Sequence, residues 1–359
     1  MNGAIVLSAG GTGGHLFPAQ ALAGELTRRG RRIVVMTDAR FANYATSFPG
    51  ARIETVPSAP LNSVTAPFKI ASGIIQAFGK LLRLKPAAVI GFGGYPSVPV
   101  MLAASLARVP TAIIEQNAVV GRANRLVMNQ VRRVAAAFPI ARFAPRDKTK
   151  IVLTGNPLRP AVIELWGAPY DAPLPDAPLH LLVFGGSQGA RAFSEIVPQA
   201  ITRLPYDLKR RLRIVQQCRP EDIETVRTIY ANAEIRAELQ PFFVDLPQRM
   251  AEAHLVIGRS GAGTVAELMA IGRPAILVPL PHALDDNQTP NAEILSRAGA
   301  GWTVAQSQMS PDSLARMLIE IFAHPDDLAR RARAAHALAV PDATEKLADM
   351  VDALTRNSA

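Results

Sequence analysis

Residues Ser8 to Leu26 read SAGGTGGHLFPAQALAGEL and follow the apolar run AIVLSA of residues 4–9. A buried strand, a glycine turn and an apolar-periodic helix make the opening plan of a ligand-binding α/β unit. Glycine lets the chain turn sharply and lets a ligand approach bare backbone. The helix then aims unsatisfied N–H groups and its positive dipole end at that turn, so an anion is the natural guest. The dinucleotide fingerprint G-x-G-x-x-G does not fit, because counting from Gly11 and Gly13 the third glycine position holds Leu16. Asp38, closing RIVVMTD (residues 32–38), keeps a ribose-binding acid available. No lysine follows the glycines, which excludes a Walker loop. His15 sits where a helix disfavours a cation. It reads either as a neutral imidazole able to take a proton or as a cap without chemistry.

The same plan returns in HLLVFGGSQGARAF (residues 180–193). A longer echo pairs AVIGFGGYPSVPVMLAASLARVPTAII (88–114) with LVIGRSGAGTVAELMAIGRPAILV (255–278): strand, glycine loop, helix, proline turn, strand. Strands alternating with helices predict parallel sheets. The proline-dense GNPLRPAVIELWGAPYDAPLPDAPLH (155–180) reads as a linker. The expected fold is α/β, with two Rossmann-like parallel-sheet domains facing across a cleft. The first covers residues 1–160 and the second 161–339. Their glycine loops would lie at the carboxyl ends of the strands, where such sheets bind ligands.

A chain of 359 residues is long for one core, which agrees with two domains. The single cysteine, Cys218, excludes a disulfide framework and fits a reducing compartment. No secretory signal and no membrane-spanning run is expected. Net charge is +10, but residues 1–160 carry 20 Lys and Arg against 5 Asp and Glu, while residues 161–359 carry 19 against 24. The first half therefore faces something anionic, for which nucleic acid and an acidic membrane surface both qualify.

Three chemistries compete in the second half. GGSQG (185–189) matches the G-x-S-x-G nucleophile elbow, and Asp245 and His282 follow in triad order, so a serine hydrolase is one reading. The same turn at Gly10 lacks a serine, however, and a repeated glycine turn is better explained by repeated phosphate contacts. GRSGAGTVAEL (258–268) offers small residues opening a helix, suited to a diphosphate. Glu267 then falls one turn in, where it can accept both hydroxyls of a ribose; otherwise it is a first-turn carboxylate favoured by the dipole. Asp286, Asn287, Gln288 and Asn291 form a polar cluster that could read sugar hydroxyls or simply cap a helix. No metal-ligand spacing occurs.

Taken together, GGTGGH (10–15), GFGGYPSVP (91–99), EQNAVVGRANR (115–125), GNPLR (155–159), GGSQGAR (185–191) and RSGAGTVAEL (259–268) resemble the MurG family, the N-acetylglucosaminyltransferases of glycosyltransferase family 28. The closing VPDATEKLADMV (340–351) extends the resemblance over nearly the whole chain. It implies a GT-B fold with an N-terminal acceptor domain, a C-terminal UDP-N-acetylglucosamine domain, and a last helix, about 340–359, returning to the first domain. The activity implied is inverting transfer of N-acetylglucosamine to the MurNAc-pentapeptide of lipid I, giving lipid II. No cofactor is implied, and a divalent cation is left open. The implied place is the cytoplasmic face of the bacterial inner membrane, with an anionic membrane surface, not nucleic acid, as partner. Carried over, the substrate contacts fall on Thr12, Gly13, Gly14, Asn117, Arg159, Ser187, Gln188, Val244, Ala262, Gly263, Thr264, Val265, Ala266, Glu267 and Gln288. Uracil would lie at Val244, ribose on Glu267, and diphosphate at Ser187 and the Gly263–Thr264 turn. Either Asn287 or Gln288 would read the sugar. The first glycine loop then serves the acceptor's pyrophosphate and the transferring sugar. His15 is the first candidate for the base and Glu115 the second, unless Glu115 only holds the loop around Asn117. A UDP-N-acetylglucosamine epimerase of the same fold is the alternative activity.

One further stretch bears on the membrane. PFKIASGIIQAFGKLLRLKP (67–86) places Phe68, Ala71, Ile75, Phe78 and Leu82 on one helical face, broadened by Ile74 and Leu81. Lys69, Lys80, Arg83 and Lys85 border it. Packing on its own sheet accounts for most of these residues, but the width and charge predict an interfacial helix.

Overall fold

A computed structural model describes residues 3–10, 13–39, 48–59, 66–186 and 189–356. The chain divides into two compact units, residues 1–159 with 342–359, and residues 160–341. In the first, β1 (Ile5–Ser8), α1 (Gly13–Arg28), β2 (Ile33–Thr37), β3 (Arg52–Thr55), α2 (Ala66–Leu84), β4 (Ala88–Gly91), α3 (Ser97–Leu106), β5 (Thr111–Glu115), α4 (Arg122–Val127), β6 (Arg133–Ala136) and β7 (Ile151–Leu153) follow in order. In the second come α5 (Pro160–Ile163), β8 (Leu179–Phe184), α6 (Arg191–Thr202), α7 (Tyr206–Arg211), β9 (Leu212–Gln217), α8 (Ile223–Asn232), β10 (Arg236–Gln240), α9 (Leu246–Glu252) and β11 (Leu255–Gly258). The unit continues with α10 (Ala262–Ile271), β12 (Ala275–Leu277), α11 (Gln288–Arg297), β13 (Gly301–Thr303), α12 (Pro311–Ala323) and α13 (Pro325–Ala337). The last helix, α14 (Ala343–Arg356), belongs to the first unit.

The strands are short apolar runs because helices cover both faces of each parallel sheet. In the first sheet Ile5, Leu7, Ile33, Val35, Ile90 and Ile114 face α1 and α14, while Val6, Val34, Met36, Val89 and Ile113 face α2 and α3. The strand order is β3-β2-β1-β4-β5-β6-β7, and in the second sheet β10-β9-β8-β11-β12-β13. Both reverse direction once, between β1 and β4 and between β8 and β11. Doubly wound sheets open a ligand crevice at that switch point, outside the carboxyl ends of the strands. The glycine loops after β1, β4, β8 and β11 are the ones that border it.

Helix α14 reaches the first unit through Leu347, Met350, Val351 and Leu354, buried against that core. Arg29, just past the end of α1, donates to Asp349 and Asp352, and Arg31 donates to Asp352. The C-terminal residues thereby fix α1, the helix that carries His15.

Helix α2 leaves Phe68, Ala71, Ile75 and Leu82 of the sequence-based face exposed, but buries Leu81 and partly buries Ile74 and Phe78. Its buried side is Gly73, Ala77 and Leu81, spaced four apart, with a Cβ on Gly73 only 2.1 Å from the Pro57 carbonyl oxygen. Phe68, Ile75 and Leu82 are instead 81%, 72% and 52% exposed. Small residues let the helix lie close on the Pro57 segment and on α3, so the large ones are left outside. Lys80 is also not a free border charge: it donates to Glu54 at 2.5 Å and to the Thr55 carbonyl.

Candidate functional site

In the first unit β5 ends on Glu115, whose buried carboxylate uses both oxygens. Oε1 accepts from the Asn117 backbone N–H at 3.0 Å and from Asn117 Nδ2 at 3.4 Å. Oε2 accepts from the Gly121 backbone N–H at 2.8 Å and from Asn124 Nδ2 at 2.9 Å. Burial pushes the carboxyl pKa up, and these four hydrogen bonds pull it down. The loop 116–121 is thus folded around Glu115, and Asn117 is set by it.

His15 is the third residue of α1 and is half-buried. Its ring lies against Gly93 and Gly94, the loop after β4, which adopt φ of 82° and 72°. A Cβ on Gly93 would stand 3.4 Å from His15 Cε1, and one on Gly94 3.4 Å from Cδ2, so the two glycines make the imidazole's seat. Burial lowers the His15 pKa, opposed by the Phe92 backbone. The neutral ring expected from the helix dipole therefore owes its state first to desolvation. His15 Nδ1 is buried with no hydrogen-bond partner among the described residues, as are Ser8 Oγ, Gln116 Nε2, Asn124 Oδ1 and Asn156 Oδ1. Buried polar groups are nearly always paired. Ser8 ends β1 and Gln116 follows β5, which puts these atoms at the strand ends where a polar ligand belongs. Arg159 stacks over Phe17 of α1, its guanidinium 5.5 Å from the ring centroid.

In the second unit a residue that no motif marked organises the site. Gln217, the last residue of β9, accepts from the Gly185 backbone N–H at 3.0 Å and donates to the carbonyls of Gly186 and Pro241. It ties the glycine loop after β8 to the loop 241–245, where Val244 is 87% exposed. That loop is braced by Arg249, whose guanidinium lies 4.6 Å from the Phe243 ring centroid and whose Nε donates to Asp245 at 2.9 Å. Asp245 is therefore committed to Arg249, which leaves the triad reading without its acid.

Helix α10 begins at Ala262 after Gly261, and no side chain caps its first turn. A Cβ on Gly263 would meet nothing within 4 Å, so open backbone faces outward there. Thr264 and Glu267 are half-buried beside it, while Ala262, Val265 and Ala266 are buried and hold the turn to the sheet. The loop is pinned from below: Asn291 Nδ2 donates to the Ser260 carbonyl, Ser260 Oγ donates to the Gln288 carbonyl, and Gln288 Oε1 accepts from the Leu280 N–H. Arg259 reaches the Val278 and Pro279 carbonyls and Gln306, with burial lowering its pKa. Asn291 thus supports the loop, and Asn287 stands half-buried at the start of α11. His282, Asp285 and Asp286 all adopt positive φ, between 46° and 63°. Gly13 begins α1 and exposed Gly14 follows it, whereas Thr12, Ser187 and Gln188 lie outside the described residues. Among the described residues no three His, Cys, Asp or Glu side chains gather as a metal set.

Residues 5–136 match the N-terminal domain of glycosyltransferase family 28, and residues 180–347 match its C-terminal domain. The UDP-N-acetylglucosamine--N-acetylmuramyl-(pentapeptide) pyrophosphoryl-undecaprenol N-acetylglucosamine transferase of Rhodospirillum centenum is 49% identical over 353 residues, covering 97% of this chain and 93% of that protein. The enzyme of that name from Methylorubrum extorquens is 50% identical over 355 residues, with 97% and 96% covered. Crystalline MurG of Acinetobacter baumannii superimposes with a TM-score of 0.82 at 33% identity, over 98% of this chain and 99% of that one. A UDP-GlcNAc 2-epimerase from Neisseria meningitidis gives 0.68 at 12% identity, covering 97% and 100%, which is a likeness of fold alone.

Proposed function

We propose, from the premise that the chain belongs to glycosyltransferase family 28, a division of one transfer reaction between its two units. The chain is a UDP-N-acetylglucosamine-dependent hexosyltransferase. It moves N-acetylglucosamine to the MurNAc-pentapeptide of pyrophosphoryl-undecaprenol, lipid I, and so makes lipid II.

The second unit holds the donor. Uracil lies on the exposed backbone at Val244, and ribose hydroxyls donate to Glu267. The diphosphate takes the open N–H groups of Ala262, Gly263 and Thr264 at the start of α10, ahead of Val265, whose N–H is bonded to the Gly261 carbonyl, and those of Ser187 and Gln188. Gln288 or its neighbour Asn287 reads the sugar. The first unit takes the acceptor, with its pyrophosphate and the transferring sugar at Thr12, Gly13 and Gly14, flanked by Asn117 and Arg159. His15 is the base. As the acceptor oxygen attacks the anomeric carbon, the bond to the UDP oxygen breaks with inversion, and the hydroxyl proton passes to the imidazole. The charge appearing on UDP faces the N-terminus of α10. Glu115 is the anchor of the Asn117 loop.

The observation that carries the base assignment is the His15 ring with an orphaned Nδ1 seated against Gly93 and Gly94, where burial lowers its pKa. The test of the whole reading is incubation with UDP-N-acetylglucosamine and a short-chain lipid I analogue. UDP release that depends on the acceptor is expected. Sugar isomerisation without acceptor would replace transfer by epimerisation.

The acceptor is lipid-linked, and peripheral attachment to the cytoplasmic leaflet of the inner membrane is part of the same proposal. What supports it is the outward apolar face of α2 in a half carrying net +15. No helix among the described residues is long and apolar enough to cross a membrane. With Lys80 held by Glu54, the charges offered to anionic headgroups are Lys69, Arg83 and Lys85, each contributing about 1 kcal/mol.

A further inference from the structure

We propose that the ledge made by α4 and the loop 139–147 is the subsite for the acceptor's peptide; this rests on the acceptor reading above. From Gln116 to Arg146 the chain carries six arginines and no Asp or Glu, and Asp147, which closes the loop, accepts from the Thr149 N–H and hydroxyl. Arg122, Arg142 and Arg146 are exposed there. Carboxylates are the complementary guests, and a free pentapeptide end supplies at least one.

The ledge is continuous with the candidate site. Ala137 N–H donates to the Glu115 carbonyl at 2.9 Å, which puts the loop after β6 beside the end of β5. Farther on, Ala141 N–H donates to the Ala118 carbonyl, and Val120 N–H donates to the Arg142 carbonyl. The ledge is therefore built on the loop that Glu115 folds and that presents Asn117.

At its tip stands Phe143, 45% exposed, with φ of 61° and the Arg125 guanidinium 4.1 Å from its ring centroid. A bulky side chain in the left-handed region is strained where glycine would serve. Strain kept at an exposed position, beside a site, points to a use for that side chain. A flat aromatic backed by a guanidinium offers a peptide one apolar plane and a charged rim.

The reach fits a peptide of this length. Strands β1, β4, β5 and β6 are successive neighbours, so His15 over β1 and the loop after β6 are three strand spacings apart, about 14 Å. Five extended residues span up to about 17 Å. A sugar hydroxyl at His15 thus leaves its peptide long enough to run along the carboxyl edge and end among the arginines. An anionic leaflet would also suit arginines, but beside Phe143 the ledge exposes Leu126 as its large apolar side chain, against Phe68, Ile75 and Leu82 on α2.

The experiment compares two soluble short-chain acceptors, one with the pentapeptide and one with a single residue on the lactyl group. It reads the ratio of their kcat/KM values in the native protein, in Phe143→Gly and in Arg142→Gln. Glycine relieves the positive φ, so Phe143→Gly should melt no lower than the native protein. The native protein should prefer the pentapeptide, and each variant should lower that preference by roughly fivefold or more, as loss of one charged or stacked contact does. A native protein without the preference, variants with an unchanged ratio, or equal losses on both acceptors would each overturn the subsite. Weaker sedimentation with phosphatidylglycerol vesicles at an unchanged ratio would give the ledge to the membrane instead. If the native protein transferred to neither acceptor, the acceptor reading itself would fail, before any variant was compared.

Discussion

Replacing Glu115 by Gln separates the two roles that its position allows. The carboxylate accepts four hydrogen bonds, two on each oxygen. Glutamine keeps one accepting oxygen and turns the other into a donor. If its NH₂ takes the Oε2 place, the Asn124 amide can flip and offer its otherwise orphaned Oδ1. That flip gives up the Asn124 bond to the Ile114 carbonyl and still leaves the Gly121 N–H facing a donor. Placing the NH₂ at Oε1 opposes the Asn117 N–H instead. Either way one part-buried backbone donor loses its partner, at about 1–3 kcal/mol. For a unit of this size that is a drop of about 2–12 °C in Tm. Differential scanning calorimetry reads it. Because the loop carries Asn117, acceptor KM should rise about tenfold, while the acidic limb of the pH–rate profile, set by His15, stays in place. An unchanged Tm with kcat down by 10²-fold or more and that limb abolished would refute the anchor role and make Glu115 the base, since general-base loss has that size.

His15→Ala should lower kcat by about 10²-fold or more with UDP affinity nearly unchanged, as read by steady-state kinetics beside calorimetric titration. Since burial holds the His15 pKa below 6.5, the native base stays neutral and active to below that pH, and its loss limb should fall on the acid side. Glu267→Ala should weaken UDP binding by about 2–4 kcal/mol through loss of two bonds to a charged acceptor; titration showing native affinity would remove the ribose assignment. Replacing Phe68 and Ile75 by Asp should abolish sedimentation with anionic vesicles while leaving UDP affinity intact; equal sedimentation would clear α2 of the membrane role. His254 Nδ1 accepts from the His180 N–H, and burial lowers its pKa from 6.5 to about 4. Between those values the unfolded chain binds the extra proton, so stability should be complete above pH 6.5 and decline as pH falls toward 4. In His254→Asn, which keeps an accepting oxygen, a urea-midpoint profile should flatten across that window; an unaltered profile would show that another group governs it.

The fold could be read from sequence because its cause is local and repeated. AIVLSAGG, AVIGFGG, LLVFGG and LVIGRSG each carry a strand and its glycine turn within a few residues, and all four turns flank a switch point. The place of Glu267, one helical turn past a glycine loop, was legible for the same reason. Gln217 was not. It ends a strand with no motif around it, and its function depends on which strands are neighbours: the order β10-β9-β8 brings Gly185 and Pro241 to either side of it. A pairing that exists only across a sheet leaves no trace in spacing.

Helix α2 shows why the stronger of two apolar faces is the one left outside. A face of Phe68, Ile75 and Leu82 outweighs one of Gly73, Ala77 and Leu81 on any hydrophobic scale, yet the second is the buried one. Burial was decided by distance. A Gly73 Cβ would collide with the Pro57 carbonyl, just past β3, and crowd Pro99 of α3, so the helix lies too close to both for a large residue on that side. The apolar stripe is then surplus to the core, and an exposed patch of that kind marks an interaction surface. Gly73→Leu puts this to the test. It should force α2 off its seat and destabilise the first unit by at least the 1–3 kcal/mol typical of overpacking. Ile75→Ala, on the outer face, should leave urea stability within about 0.5 kcal/mol, as exposed substitutions do. If Ile75→Ala instead cost as much as a core truncation, the outer face would be packed against protein and the membrane reading of α2 would lose its ground.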